Sequence, residues 1–146
     1  MGKYRYAFPQ REGPRLIPIE LRGQFMKEYD PEADLFLDVF SEPPGKLLEV
    51  GGHDCPVASI LATLGHNVTS VDLRDYDHPI LANHTHLVGD FCDLPDNFYR
   101  ENIGTFDYAI SISAIEHFGL NAYKDQCCHL ADIIASRYIY MLLKPG

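Results

Sequence analysis

The chain has 146 residues, 46% of them apolar and 23% charged, which are the proportions of one globular domain. Its formal net charge of −9 argues against a general nucleic-acid binder. No apolar run approaches the roughly 20 residues of a membrane-spanning helix, and the N-terminus, with Lys3 and Arg5, lacks the apolar stretch of a secretory signal.

Residues 1–23 contain Pro9, Pro14 and Pro18 and read as an irregular lead-in, with a short extended piece around Leu16–Ile19. The first 27 residues hold six bases and two acids, so a basic arm of +4 precedes a body of −13. The plainer reading is an arm folded back onto its own domain; the alternative is an arm that helps hold an anionic substrate or partner. Residues 24–41 carry a helical stripe of Phe25, Tyr29, Leu35, Phe36, Val39 and Phe40, interrupted at Pro31. Asp30 before Pro31 makes an N-cap and first-position pair for a helix over 31–40. Pro43, Pro44 and Gly45 end this N-terminal part, and a second unit is expected over 45–146.

Lys46–Val50 reads as a buried strand, Pro56–Leu64 as a helix stopped by Gly65, and Asn67–Val71 as a second strand. Residues 74–84 are polar and read as a loop, followed by a third strand at Thr85–Val88. Residues 89–105, with Pro95 and Gly104, again read as a loop. Phe106–Ser113 is a fourth strand, and Asn121–Tyr138 has helical spacing at Tyr123, Cys127, Leu130, Ile134 and Tyr138. Strands alternating with helices predict an α/β fold with a doubly wound, mostly parallel open sheet. The expected strand order is 3-2-1-4, with a ligand crevice at the carboxyl ends of the first and fourth strands.

The crevice has a recognisable chemistry. Glu49 closes the first strand, Gly51 and Gly52 follow, and Asp72 ends the second strand 21 residues beyond Gly51. An acid at that spacing accepts hydrogen bonds from a ribose diol; the plainer reading is a surface acid capping the next turn. A dinucleotide turn needs G-x-G-x-x-G, and here the frame reads Gly51-Gly52-His53-Asp54-Cys55-Pro56. Asp54 would repel a pyrophosphate, so the turn suits a nucleoside without phosphates. GxxxxGK[ST], the turn of a P-loop, is also missing.

Four segments, LLEVGGHDC, VTSVDLR, LVGDFCDLP and FDYAISISAIEHFGL with LLKPG, stand in the order and spacing of class I S-adenosylmethionine-dependent methyltransferases, which residues 45–146 resemble. The resemblance implies S-adenosylmethionine as cofactor and a small-molecule methyl acceptor. It implies that Gly51, Gly52 and His53 pack against the methionine portion and that Glu49 serves its amino end. Asp72, with Leu73 beside it, would take the ribose; Asp90 and Phe91 the adenine; and backbone at Ser111 would lie near the methionine end. Family members usually have glycine where His53 and Cys55 stand. Their sheet also continues beyond KPG, so this chain is expected to lack the C-terminal strands. Its fourth strand would then be an edge, so either the chain is truncated, or the edge is covered by another element or by a partner chain such as a second copy.

Glu116 and His117 follow the fourth strand, where an acceptor would arrive. They either supply a catalytic base, His117 first, or orient the loop. Phe118 and Tyr123 either wall the acceptor site or belong to the core. A metal reading rests on Asp75, Asp77, His78, His84 and His86, but polar loops gather such residues by chance, and no metal is assigned. The four cysteines, at 55, 92, 127 and 128, make no CxxC pair, so reduced thiols and a cytoplasmic location are expected. Two other functions stay open: a non-catalytic methyltransferase-like binding module or subunit, and an NAD-dependent oxidoreductase, which the broken glycine frame disfavours.

Overall fold

Four short strands, all parallel, form the centre of the computed structural model, which describes residues 17–26, 30–122 and 128–146. The strands are β1 (Lys46–Val50), β2 (Asn67–Asp72), β3 (His84–Val88) and β4 (Tyr108–Ile110), in the order β3-β2-β1-β4. This is the expected α/β order, with its switch point between β1 and β4. The helices are α1 (Ile19–Phe25), α2 (Pro31–Val39), α3 (Val57–Thr63), α4 (Asp96–Asn102) and α5 (Ala131–Leu142), with a 3-10 turn at Ile115–His117.

The sheet is covered on both faces because side chains alternate along each strand. Leu47, Val68 and Ile110 face α3 and the N-terminal helices, in a core with Ile17, Leu37, Val57 and Ile60. Leu48, Val50 and Val71 face the other way, toward Phe91, Phe106, Ala135 and Leu142. No described helix is long and apolar enough to cross a membrane.

The N-terminal helices are tied together by one buried cation. Arg22, fully buried in α1, pairs with Asp34 at 2.5 Å and Asp38 at 2.6 Å and donates to the Ile17 carbonyl at 3.0 Å. Leu21 and Phe25 of α1 pack on the α3 side of the core, so the described part of the basic arm lies against the sheet domain. Lys3, Arg5, Arg11, Arg15, Lys27, Tyr29, Tyr123 and Cys127 lie outside the described residues.

Several boundaries differ from the sequence reading. Of the extended piece expected around Leu16–Ile19, Ile17 is a bend and α1 starts at Ile19, just after Pro18, while Leu16 lies outside the described residues. Residues 24–26 finish α1, and the second helix begins at Pro31 where Asp30 caps it, accepting from the N–H groups of Glu32 at 2.9 Å and Ala33 at 3.0 Å. Residues 89–105 are not all loop, because α4 starts directly after Pro95. The last helix starts at Ala131 rather than Asn121; Gly119 and Asn121 have φ of 74° and 56°, conformations that break a right-handed helix. β4 spans only the three residues paired with Leu47–Glu49. Beyond it, the chain turns away through Ser113, at φ 50°. On the outer side of β4, Leu143 makes a parallel bridge to Phe106, and Lys144 donates to the Phe106 carbonyl at 2.8 Å.

Candidate functional site

The carboxyl ends of the strands open into one cleft of about 320 Å³. Its walls come from four places: the turn after β1 (Gly51, Asp54, Cys55), the end of β2 (Val71 to Arg74), the segment after β3 (Gly89 to Cys92), and the exit from β4 (Ile112 to Ala114, then His117 to Gly119). Asp30 and Glu32 at the start of α2 and Ala131 at the start of α5 complete it. Of the residues singled out in the sequence, the structure gathers Gly51, Asp72, Leu73, Asp90, Phe91, His117 and Phe118 here. Asp54, expected to meet a phosphate, lines the cleft as well, and so do Asp30, Glu32 and Arg74, which were not singled out as site residues because the sequence does not say that the start of α2 and the bend after β2 fold over the strand ends.

Gly51 is required twice over. Its φ is +81°, and a Cβ there would lie 2.2 Å from the Ala114 Cβ. The turn after β1 and the exit from β4 therefore touch at the cleft floor. Ser111 reinforces this contact from below, its hydroxyl donating to the Val50 carbonyl at 2.9 Å, and it does not itself line the cleft.

Asp72 is held from both sides. Oδ2 accepts the His53 backbone N–H at 3.1 Å. Oδ1 accepts the Arg74 backbone N–H at 2.9 Å and Arg74 Nε at 3.3 Å. An ionised carboxylate offers about four acceptor sites, so capacity is left for a ligand donor. The backbone of His53 thus orients Asp72, while its ring contacts the Asp75 carbonyl outside the cleft wall. Asp90 forms a tight turn of its own, Oδ1 accepting the Cys92 N–H at 2.8 Å, with Oδ2 left to accept.

Glu49 is placed differently from a cleft residue. Strand alternation turns it to the α3 face, where it is 2% exposed and absent from the cleft wall. It packs under Gly52, where a Cβ would lie 2.2 Å from its Oε2, so Gly52 covers the acid rather than lining the cleft. Neither carboxyl oxygen has a hydrogen-bond partner among the described residues. Burial, chiefly, pushes this carboxyl well above the ordinary range. Beside it, burial and then the Glu49 charge push up both the Cys55 thiol and the Tyr76 hydroxyl.

The 3-10 turn separates Glu116 from His117, since successive residues leave it about 120° apart. His117 reaches the cleft wall; Glu116 is exposed and outside it. His84 and His86 share one face of β3, as the strand predicts, and are held by the Ser70 hydroxyl. Among the described residues, no three His, Cys, Asp or Glu side chains are grouped to hold a metal. Cys55, Cys92 and Cys128 make no disulfide with one another, and the Cys92 thiol donates to the Ala131 carbonyl at 3.4 Å.

No protein-family model and no curated protein matches the chain. Several solved structures are similar to it, two of which follow. One is the 1,6-didemethyltoxoflavin-N1-methyltransferase of Burkholderia thailandensis with bound 1,6-didemethyltoxoflavin and S-adenosylhomocysteine. It is 19% identical with a TM-score of 0.51, over 70% of this chain and 41% of that one. The other is a Rhodobacter sphaeroides protein described as a Zn-dependent alcohol dehydrogenase, 18% identical with a TM-score of 0.53, over 82% of this chain and 45% of that one. The chain thus spans less than half the length of either. At these identities the likeness is one of fold alone: a Rossmann-like, all-parallel sheet in the order 3-2-1-4.

Proposed function

We propose that the cleft binds S-adenosylmethionine and that the chain transfers the methyl group directly to a small-molecule acceptor. The observation that carries this reading is the convergence of Gly51, Asp72 and Asp90 on one cleft at the switch point of the sheet. Its volume of about 320 Å³ is suited to a small molecule. Asp72 has acceptor capacity for a ribose diol, with Leu73 as an apolar neighbour. Asp90 Oδ2 has capacity for an exocyclic amine, with the Phe91 backbone beside it. Five carboxylates (Asp30, Glu32, Asp54, Asp72, Asp90) against Arg74 and His117 make a wall that favours a cation. The methyltransferase of similar fold holds S-adenosylhomocysteine, which supports the same ligand class here.

S-adenosylmethionine supplies a methyl carbon activated by cationic sulfur. This chain's part is then to orient the acceptor in line, which is worth up to roughly 7–11 kcal/mol. Where the acceptor arrives protonated, His117 takes the proton and Phe118 walls the approach. Glu116, exposed outside the cleft, has no part in this scheme. The buried Glu49 acts on the turn rather than on the ligand, by packing against Gly52.

The fold also suits a nicotinamide enzyme, as the alcohol dehydrogenase likeness illustrates. The turn argues against it, because Asp54 lines the cleft where a pyrophosphate would lie. A second reading is a non-catalytic binding module whose β4 edge takes a partner chain. It is favoured by the open edge of β4, bridged only at Phe106 among the described residues. Isothermal titration with S-adenosylhomocysteine is the test, with binding expected. No heat from folded protein at high ligand concentration refutes the proposal. Difference absorbance with NADH checks the nicotinamide reading, and methyl turnover beside the titration separates enzyme from module.

A further inference from the structure

The β2–β3 pair carries a group of polar side chains that the cleft itself does not use. Ser70 and His86 are direct partners across the two strands, and His84 stands two residues earlier on the same face. The Ser70 hydroxyl lies 2.8 Å from His84 Nε2 and 2.8 Å from His86 Nδ1. The second nitrogen of His86, Nε2, lies 2.9 Å from the Arg74 carbonyl. The Tyr76 ring packs beside both imidazoles, with centroids 4.8 Å from His84 and 5.5 Å from His86.

The placement of protons follows from the partners. A carbonyl only accepts, so His86 Nε2 carries a proton and, in the neutral ring, Nδ1 is bare. The Ser70 hydroxyl then donates to His86 Nδ1 and accepts from His84 Nε2. His84 Nδ1 is left bare, buried and without a partner among the described residues, as a nitrogen with no proton to place can be. Burial, and then the neighbouring His86, lower the His84 pKa to about 4, which keeps this ring neutral. The hydrogen bonds therefore run one way, from His84 through Ser70 and His86 to the Arg74 carbonyl.

Arg74 holds the Oδ1 side of Asp72, as the His53 N–H holds Oδ2. It lies in the bend after β2, beyond the reach of the strand ladder, and gives Asp72 Oδ1 both its backbone N–H and its Nε. We infer that His86, oriented by Ser70, is a positioning residue that, through the Arg74 carbonyl, fixes the backbone on either side of the Arg74 Cα so that the Arg74 N–H holds Asp72 with its carboxylate presented to the ribose of the ligand. The inference rests on the cofactor reading above and adds to it an anchor on β3, outside the cleft wall.

The test compares wild type with His86→Phe, His86→Gln, His86→Asn, Asp72→Ala and the His86→Phe/Asp72→Ala pair. Phe keeps the ring against Tyr76 and loses both polar ends. Gln sets an amide donor near the position of Nε2, and Asn sets one near Nδ1. Titration with S-adenosylhomocysteine is expected to show about tenfold weaker binding for His86→Phe, equivalent to ~1.4 kcal/mol. Gln restores binding to within about threefold and Asn does not. The loss disappears in the Asp72→Ala background, because the anchor then has nothing to position.

Amide exchange of the unliganded proteins gives a readout that needs no ligand. The Arg74 N–H should exchange about tenfold faster in His86→Phe than in wild type and be protected again in His86→Gln. An unchanged Arg74 amide in folded His86→Phe overturns the anchor by itself. So does a binding loss that persists undiminished without Asp72, which would mark general damage. Wild-type protein that takes up no S-adenosylhomocysteine overturns the cofactor reading, and the ribose role falls with it.

Discussion

Replacing Glu49 by Gln tests whether the acid closing β1 is held as a neutral carboxyl. Its oxygens are buried without hydrogen-bond partners among the described residues. Burial raises its pKa, the Ala58 N–H pulls it part of the way back without completing a hydrogen bond, and the Asp72 charge adds to the rise. An unfolded chain releases this proton near pH ~4.3, whereas the native chain keeps it to higher pH. Above that value the unfolded state binds fewer protons than the native state, so stability falls as pH rises. This is the reverse of a salt-bridged carboxylate. Below pH ~4.3 both states are protonated and the cost is absent.

Each pH unit inside the window costs ~1.4 kcal/mol. Glutamine has nearly the same shape and does not titrate. Urea unfolding at pH 5.5 and 7.5 should therefore show wild type losing up to about 2.7 kcal/mol relative to Glu49→Gln over those two units. His84 acts in the opposite sense: with its pKa lowered to about 4, its cost grows as pH falls from about 6.5, the ordinary value for histidine. That contribution is common to both proteins and cancels in the difference. Parallel curves for wild type and Glu49→Gln from pH 5 to 8 would refute the reasoning, because Glu49 would then be ionised in both states throughout.

Four further outcomes are expected. Asp72→Ala removes a charged acceptor whose hydrogen bonds are worth about 1.5–3 kcal/mol each, so S-adenosylhomocysteine should bind at least about tenfold more weakly to protein that is still folded by circular dichroism; equal affinity removes the ribose assignment. Gly51→Ala meets both the positive φ and the Ala114 side chain, and its thermal midpoint should fall by the equivalent of about 1–3 kcal/mol; an unchanged midpoint contradicts the tight approach. Arg22→Met leaves Asp34 and Asp38 without their buried cation, and urea titration should report a loss of about 3–5 kcal/mol; a loss below 1 kcal/mol would assign the stability of α1 to packing alone. His117→Gln should slow methyl transfer by about 10²–10⁴ with a protonated acceptor while S-adenosylhomocysteine affinity stays constant; equal rates eliminate His117 as base.

The sequence and the structure agree where local signals are strong and punctuated. KLLEV is an apolar run between Pro-Pro-Gly and Gly-Gly, and it is β1 with the expected ends. Asp30-Pro31 combines a cap with a fixed φ, and α2 starts there. α4 was illegible because seven residues span only two turns, too few for a period to emerge, and Pro95 reads equally as a loop residue and as the residue before a helix. The spacing at Tyr123, Cys127, Leu130, Ile134 and Tyr138 predicts a helix from Asn121, but Gly119 and Asn121 have positive φ and α5 starts only at Ala131. Periodicity records which residues are apolar and carries no information on such a break. In the site, the acids ending β2 and following β3 were legible because strand ends fix where they emerge. Glu49 was not, because its role depends on which face of β1 it takes, and an apolar run buried on both sides hides that alternation.

A fold shared by a methyltransferase and an alcohol dehydrogenase leaves the choice of chemistry to the few residues at the strand ends. Here the contact of Gly51 with Ala114 forms the floor, and the two ends of the cleft differ. Asp72 and Asp90 stand at the β2–β3 end, where a sugar and a base edge find acceptors. His117, Phe118 and Ala131 stand at the β4–α5 end, where the groups are a titratable ring and apolar walls. On the proposed reading, a ligand laid along the floor would be anchored by its polar nucleoside at one end and present its other end to the side of His117, Phe118 and Ala131. A pyrophosphate in the middle would pass Asp54 and find no third glycine to admit it, whereas a sulfonium in the same place meets carboxylates on either hand. The same sheet order therefore admits both chemistries, and on the proposed reading the sign of the charge lining the turn after β1 would select between them.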